Sequence, residues 1–128
     1  MPIFKTRTFA RWARKEGLRD SALRAAVAEI VAGLLDADLG GGLVKKRVAR
    51  AGRRKSGGYR TLLATNLRDT WVFVYGFSKS ERDNVDNAEL LALKRIAQGY
   101  LGMGEETLGR LLDAGELIEV DDDESETA

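Results

Sequence analysis

The sequence predicts an α+β domain in which an antiparallel sheet packs against an N-terminal helical hairpin, with further helices near the C-terminal end. Three observations predict it. The hydrophobic period is 3.6 residues over the first third of the chain, two from Leu43 to Phe77, and 3.6 again after Asp86. Helices and strands segregated in this way make α+β domains, whereas strict alternation makes parallel α/β ones. The chain is 128 residues long and 44% hydrophobic, enough for a single modest core.

Ile3-Phe4-Lys5-Thr6 reads as a short strand. Phe9, Trp12 and Ala13 lie at helical spacing before Gly17, which suits the end of a short helix. Asp20 or Ser21 can accept the free amide hydrogens of a second helix, whose apolar positions Leu23, Val27, Ile30 and Leu34 run on until Gly40-Gly41-Gly42 stops it. From Leu43 the period is two, with Val44 and Val48 on one side of a strand and Leu43, Lys45 and Arg47 on the other. Residues 51–58 predict a flexible glycine-rich connection. Tyr59–Thr65 and Trp71–Phe77 follow as strands joined by the Asn66–Thr70 turn.

Trp71-Val72-Phe73-Val74-Tyr75 is apolar on both faces, so it belongs inside a sheet covered on both sides, by helices on one and by a ligand groove or the C-terminal end on the other. Asp86 and Glu89 make a capping box for a helix of about four turns through Leu90, Leu93, Ala97 and Leu101. Gly104 opens a shorter helix with Leu108, Leu111 and Leu112 as its buried stripe, and Gly115 ends it before an edge strand at 117–120. The domain is expected to occupy residues 1–118. Residues 119–128 form an acidic tail with too little apolar surface to offset the entropy of ordering it.

Composition excludes several chemistries. The chain has no Cys and no His. Disulfide frameworks, thiolate metal sites, imidazole ligands and histidine bases are therefore out, and no cofactor is expected. No apolar run approaches the roughly 20 residues that span a bilayer, and the first residues lack a signal peptide's apolar stretch. A cytoplasmic location without membrane contact is expected.

The net charge of +1 hides an asymmetry. Residues 111–128 hold eight acids and no base, which leaves 21 Lys and Arg against 12 Asp and Glu in residues 1–110. Between Leu39 and Arg68, nine basic residues occur without one acid: Lys45, Lys46, Arg47, Arg50, Arg53, Arg54, Lys55, Arg60 and Arg68. An ordinary surface mixes its signs, so this block points to a polyanion. Lys45 and Arg47 would sit roughly 6.6 Å apart on one strand face, able to grip a nucleic-acid backbone.

RNA cleavage by its own 2′-hydroxyl needs a group to take that proton, cations for the phosphorane oxygens and a donor for the leaving 5′-oxygen. With no carboxylate in the block, Arg, Lys and Tyr are what remain. Arg suits the electrostatic role, since its fork can donate two hydrogen bonds to phosphate oxygens, while the pKa of a Lys falls among other cations. Tyr59 beside Arg60 offers a proton donor or a stacking platform, although a half-buried strand aromatic is the commoner use of such a residue. The glycines at 52–58 do not form a nucleotide-binding loop, because order and following helix are both wrong.

Three segments, V-K-K-R-V-A (44–49), G-G-Y-R-T-L-L-A (57–64) and W-V-F-V-Y-G-F-S-K-S-E-R (71–82), followed by an amphipathic helix, resemble the RelE/ParE superfamily of type II toxin–antitoxin toxins, closest to its RelE/HigB-like branch. The likeness covers most of residues 1–118. It implies a RelE-like, microbial-ribonuclease-like sheet on an N-terminal helical hairpin. It also implies a cognate antitoxin partner and, for the RelE/HigB branch, a metal-independent endoribonuclease that cuts mRNA on the ribosome and inhibits translation. Carried over residue by residue, Arg60 matches the phosphate-stabilising arginine, and Lys45, Lys46 and Arg47 match the basic strand. Lys79 and Arg82 match the basic group after the last core strand. Lys79, Lys45 and Lys46 thus join Arg60 as catalytic candidates, and Arg47, Arg53, Arg54, Lys55, Tyr59 and Arg82 as RNA-binding ones.

Two places depart from the pattern: Ser80 stands where a basic residue is common, and Val85 and Asp86 where an aromatic is. Two other readings stay open, a ParE-like inhibitor of DNA gyrase working through the helical hairpin, and an inactive binding or regulatory protein with the toxin fold. The acidic tail reads either as a solubilising end or as a screen folded over the basic groove.

Overall fold

In the computed structural model, which describes residues 2–49 and 58–121, the chain begins with β1 (Phe4–Thr6) and turns directly into α1 (Arg7–Glu16). Thr6 serves both elements. Its hydroxyl accepts the Phe9 N–H at 3.0 Å and caps the helix, while Gly17 ends it at φ 74°. α2 spans Asp20–Val31. It stops well before the triple glycine, because Gly33 turns the chain at φ 95° and leaves Leu34 60% exposed. A strand that the periodicity hid follows, β2 (Ala37–Gly40), paired antiparallel with β3 (Leu43–Val48). Gly40, Gly41 and Gly42 all have positive φ and form the turn of this hairpin, which few side chains tolerate.

β4 (Tyr59–Thr65) and β5 (Trp71–Ser78) follow. Next come α3 (Asn87–Leu101), α4 (Glu105–Asp113) and β6 (Leu117–Glu119). The capping box at Asp86 and Glu89 is formed in both directions. The six strands lie in the order β2-β3-β4-β5-β1-β6. Neighbours are antiparallel, as expected, except β1 and β5, which run parallel and make the sheet mixed at that one pair. The exception arises because β1 and β5 are joined through helices and three other strands, not by a hairpin.

β4 and β5 are buried on both faces. On one, Phe9, Leu23, Val27 and Ile30 of the helical hairpin meet Val44, Tyr59, Leu63 and Phe73. On the other, Leu93 and Ala97 of α3 cover Leu43, Leu62, Ala64 and Val72. Trp12 lies so close to β5 that a Cβ on Gly76 would come within 2.2 Å of its ring. α4 packs more lightly, with Leu108, Leu111 and Leu112 only half-buried.

Residues 119–121 continue the fold past the expected boundary at 118. Glu119 pairs with Phe4, and the Val120 N–H donates to Ile3 O at 2.7 Å. Arg24 donates to the carbonyls of Val120 and Asp121, and the Asp121 N–H to the Asp20 carboxylate at 2.9 Å. Residues 122–128 of the tail lie outside the described residues. No helix among the described residues is long and apolar enough to cross a membrane.

Candidate nucleic-acid interface

Register decides which basic side chains share a surface. β4 alternates between the two cores, Tyr59 and Leu63 facing the helical hairpin and Leu62 and Ala64 facing α3. Arg60 therefore lies on the α3 side, at the end of the strand away from Ala64. It stands opposite Arg47 on β3 and Phe77 on β5. Lys45, two residues from Arg47, shares its side of β3. The apolar half of this face is roofed by α3, and the basic half is Lys45, Arg47 and Arg60.

Arg60 is 6% exposed. Burial pushes its guanidinium below the ordinary arginine range and the charge of Arg47 pushes the same way, while Asp36 and Asp83 oppose them. The block that is free of acids in sequence is thus not free of them in space. Asp36 accepts the Arg47 backbone N–H, and its other oxygen lies 3.3 Å from Arg47 Nε. Neither carboxylate is predictable from its neighbours in the chain, since Asp36 arrives through the β2–β3 hairpin and Asp83 through the turn after β5.

Arg82 lies beside this surface but its charge is already matched. It makes a two-pronged pair with Glu89, at 2.5 and 3.0 Å, and a third hydrogen bond to the Tyr75 hydroxyl at 3.3 Å. Its guanidinium carbon sits 5.7 Å from the centre of the Phe77 ring. Arg82 and the Asp86 backbone N–H hold the Glu89 carboxyl down at about 2, while Glu89 raises the Arg82 pKa. Tyr75 and Phe77 pair at 6.1 Å between ring centres and complete an aromatic floor that the basic pattern alone did not flag. Lys79 is exposed where β5 ends, its backbone N–H bonded to Gly58 O at 3.1 Å. Lys45 and Lys79 have no side-chain partner among the described residues.

Two sequence candidates point elsewhere. Lys46 is 4% exposed on the helical-hairpin side, its Nζ 2.7 Å from Glu29 Oε1 and donating to Leu34 O at 2.9 Å. It shares the parity of Val44 and Val48, so a lysine here is a core residue with its charge satisfied. Tyr59 is 2% exposed, with its hydroxyl on Glu16 O at 3.0 Å and its ring edge-on to Trp12. It is no platform for a base. Arg53, Arg54 and Lys55 lie outside the described residues. At the two places where the resemblance departs, Ser80 Oγ bonds Ser78 Oγ at 2.7 Å and Asp86 caps α3.

The family model described as the RelE toxin of the RelE/RelB toxin–antitoxin system matches residues 1–120. Comparison with curated proteins and with solved structures gives no match.

Proposed function

Because this chain belongs to the RelE toxin family of toxin–antitoxin systems, with an antitoxin as its implied partner, we propose that it arrests translation by cutting mRNA on the ribosome without a metal ion. The observation that carries this reading is Arg60, almost sealed from solvent and facing Arg47 on a sheet surface that α3 leaves basic. Two guanidinium groups facing one another across β3 and β4 can both donate to the oxygens of one phosphate, which supports this reading.

In the proposed reaction, Lys45 and Arg47 hold the backbone on either side of the scissile phosphate. The RNA 2′-oxygen attacks phosphorus while the bond to the 5′-oxygen breaks, leaving a cyclic phosphate and a free 5′-hydroxyl. Arg60 donates to the equatorial oxygens as their charge rises, and Lys79, exposed at the same end of the sheet, carries the proton. The rigid Arg82 plane over Phe77 offers a neighbouring base a stacking surface.

The test is induction of the chain without antitoxin, followed by primer extension on a reporter mRNA. New 5′-ends and a block in translation are expected, and Arg60→Ala should restore growth with a loss of about 10²-fold or more in cleavage. Growth arrest with intact mRNA would overturn the reading, and early arrest of replication would select a gyrase inhibitor. An inactive toxin-fold binder is the second reading, favoured by the structural duties of Ser80 and Asp86. Harmless overexpression would select it.

A further inference from the structure

A second concentration of positive charge lies on the other face of the sheet. α1 buries Phe9, Ala10 and Ala13 and turns Arg7, Arg11, Arg14 and Lys15 to solvent, at i, i+4, i+7 and i+8. Arg7 is paired with Glu116 at 3.0 Å. Arg11, Arg14 and Lys15 have no side-chain partner among the described residues. The helix carries one acid, Glu16 at its last position, so the like charges Arg7–Arg11 and Arg11–Lys15 repel at i,i+4 without relief inside the helix. Where α1 turns into α2, a cavity of about 390 Å³ adjoins the stripe, with Lys5, Arg14 and Arg19 on its wall. Its one acid, Asp20, is 2.5 Å from Lys5.

The chemistry of this face selects among polyanions. A membrane-surface helix keeps apolar side chains beside its cations, but the large apolar residues of α1 are spent on the core or, like Trp12, on packing against β5 and Tyr59. From Arg7 to Lys15 the helix advances about 12 Å, a length over which a DNA duplex presents about seven phosphate charges and the more compact A-form RNA duplex at least as many. The candidate groove is on the opposite face, so one strand cannot fill both by lying flat.

We propose that the outer face of α1, with the α1–α2 turn, is a second RNA-binding surface that takes the phosphate backbone of a duplex. The choice of RNA over DNA rests on the proposed RNA cleavage; the surface itself does not. The test is fluorescence anisotropy of the full chain with a labelled RNA duplex of ~16 base pairs, between about 50 and 200 mM salt. Arg11→Glu with Arg14→Glu should weaken binding by about tenfold or more and flatten the dependence of log affinity on log salt by about two. Arg11→Lys with Arg14→Lys should stay within about twofold of wild type, since the backbone is read by charge. Should the Glu pair fail to fold by circular dichroism, Arg11→Gln with Arg14→Gln is held to the same outcomes.

Duplex binding that ignores the charge change overturns the proposal, as does the same loss in Arg60→Ala, because the two surfaces would then be one. Loss of anionic-vesicle or duplex-DNA binding with RNA binding intact overturns it too. Failure of mRNA cleavage in the cell leaves these binding results standing.

Discussion

Arg47 and Arg60 stand directly opposite each other on β3 and β4, two cations on one sheet face. Cross-strand like charges are destabilising. Asp36 is what makes the pair tolerable, since it holds Arg47 by both backbone and side chain and also bears on Arg60. Asp36→Ala should therefore lower stability by about 1–2 kcal/mol. Urea unfolding checks it, and an unmoved midpoint would show that solvent screens the two arginines unaided.

Lys46 separates structure from chemistry. Lys46→Ala should cost about 3 kcal/mol, since it empties the space of the buried stem as well as removing the contacts to Glu29 and Leu34 O, and Lys46→Met should cost less, because its chain still fills that space. Both variants, at temperatures where they are folded, should cut RNA as wild type does. Loss of cleavage by a folded Lys46→Met would return this lysine to the catalytic set.

Gly76 is dictated by Trp12. An added methyl group meets the indole at 2.2 Å, and both groups are packed in, so Gly76→Ala should cost about 1–3 kcal/mol. Combined with Trp12→Leu, part of that cost should disappear, and a double-mutant cycle in thermal unfolding reads the coupling. Additive losses would mean that β5 moves to make room.

Glu89 sets an acid limit on the Arg82 clamp. Its folded pKa, about 2, lies below the ordinary 4.5, so the folded state binds this proton less readily than the unfolded one. Its contribution is complete above pH 4.5 and fades as pH falls toward 2. Wild type should therefore be more stable than Glu89→Gln at pH 6, with the gap closing on acidification. Melting curves for the pair at several pH values test this, and a constant gap would contradict it.

Much of this was legible in the sequence because local rules and tertiary packing agree. The doubly apolar Trp71–Tyr75 run became a central strand, the Asp86–Glu89 spacing became a cap, and the parity of Lys45 and Arg47 placed them on one face. What was hidden was hidden for definite reasons. Leu34 kept the helical period by accident, so β2 passed for the end of α2 until the positive φ of Gly33 showed the break. Lys46 had the parity of Val44 and Val48, a signal that its charge obscured. Asp36, Asp83 and the Arg82–Glu89 clamp come together only through hairpin and turn geometry, which periodicity does not encode.

The seating of Asp121 ties one edge of the sheet to the helical hairpin. Its N–H is fastened to the carboxylate of Asp20 at the head of α2, and the same carboxylate lies 2.5 Å from Lys5 on β1. Arg24 of α2 holds the carbonyls of Val120 and Asp121 from the same side. The edge strand β6 is thus riveted to α2 as well as laced to β1, so whatever would peel it away has to undo side-chain clasps on two elements.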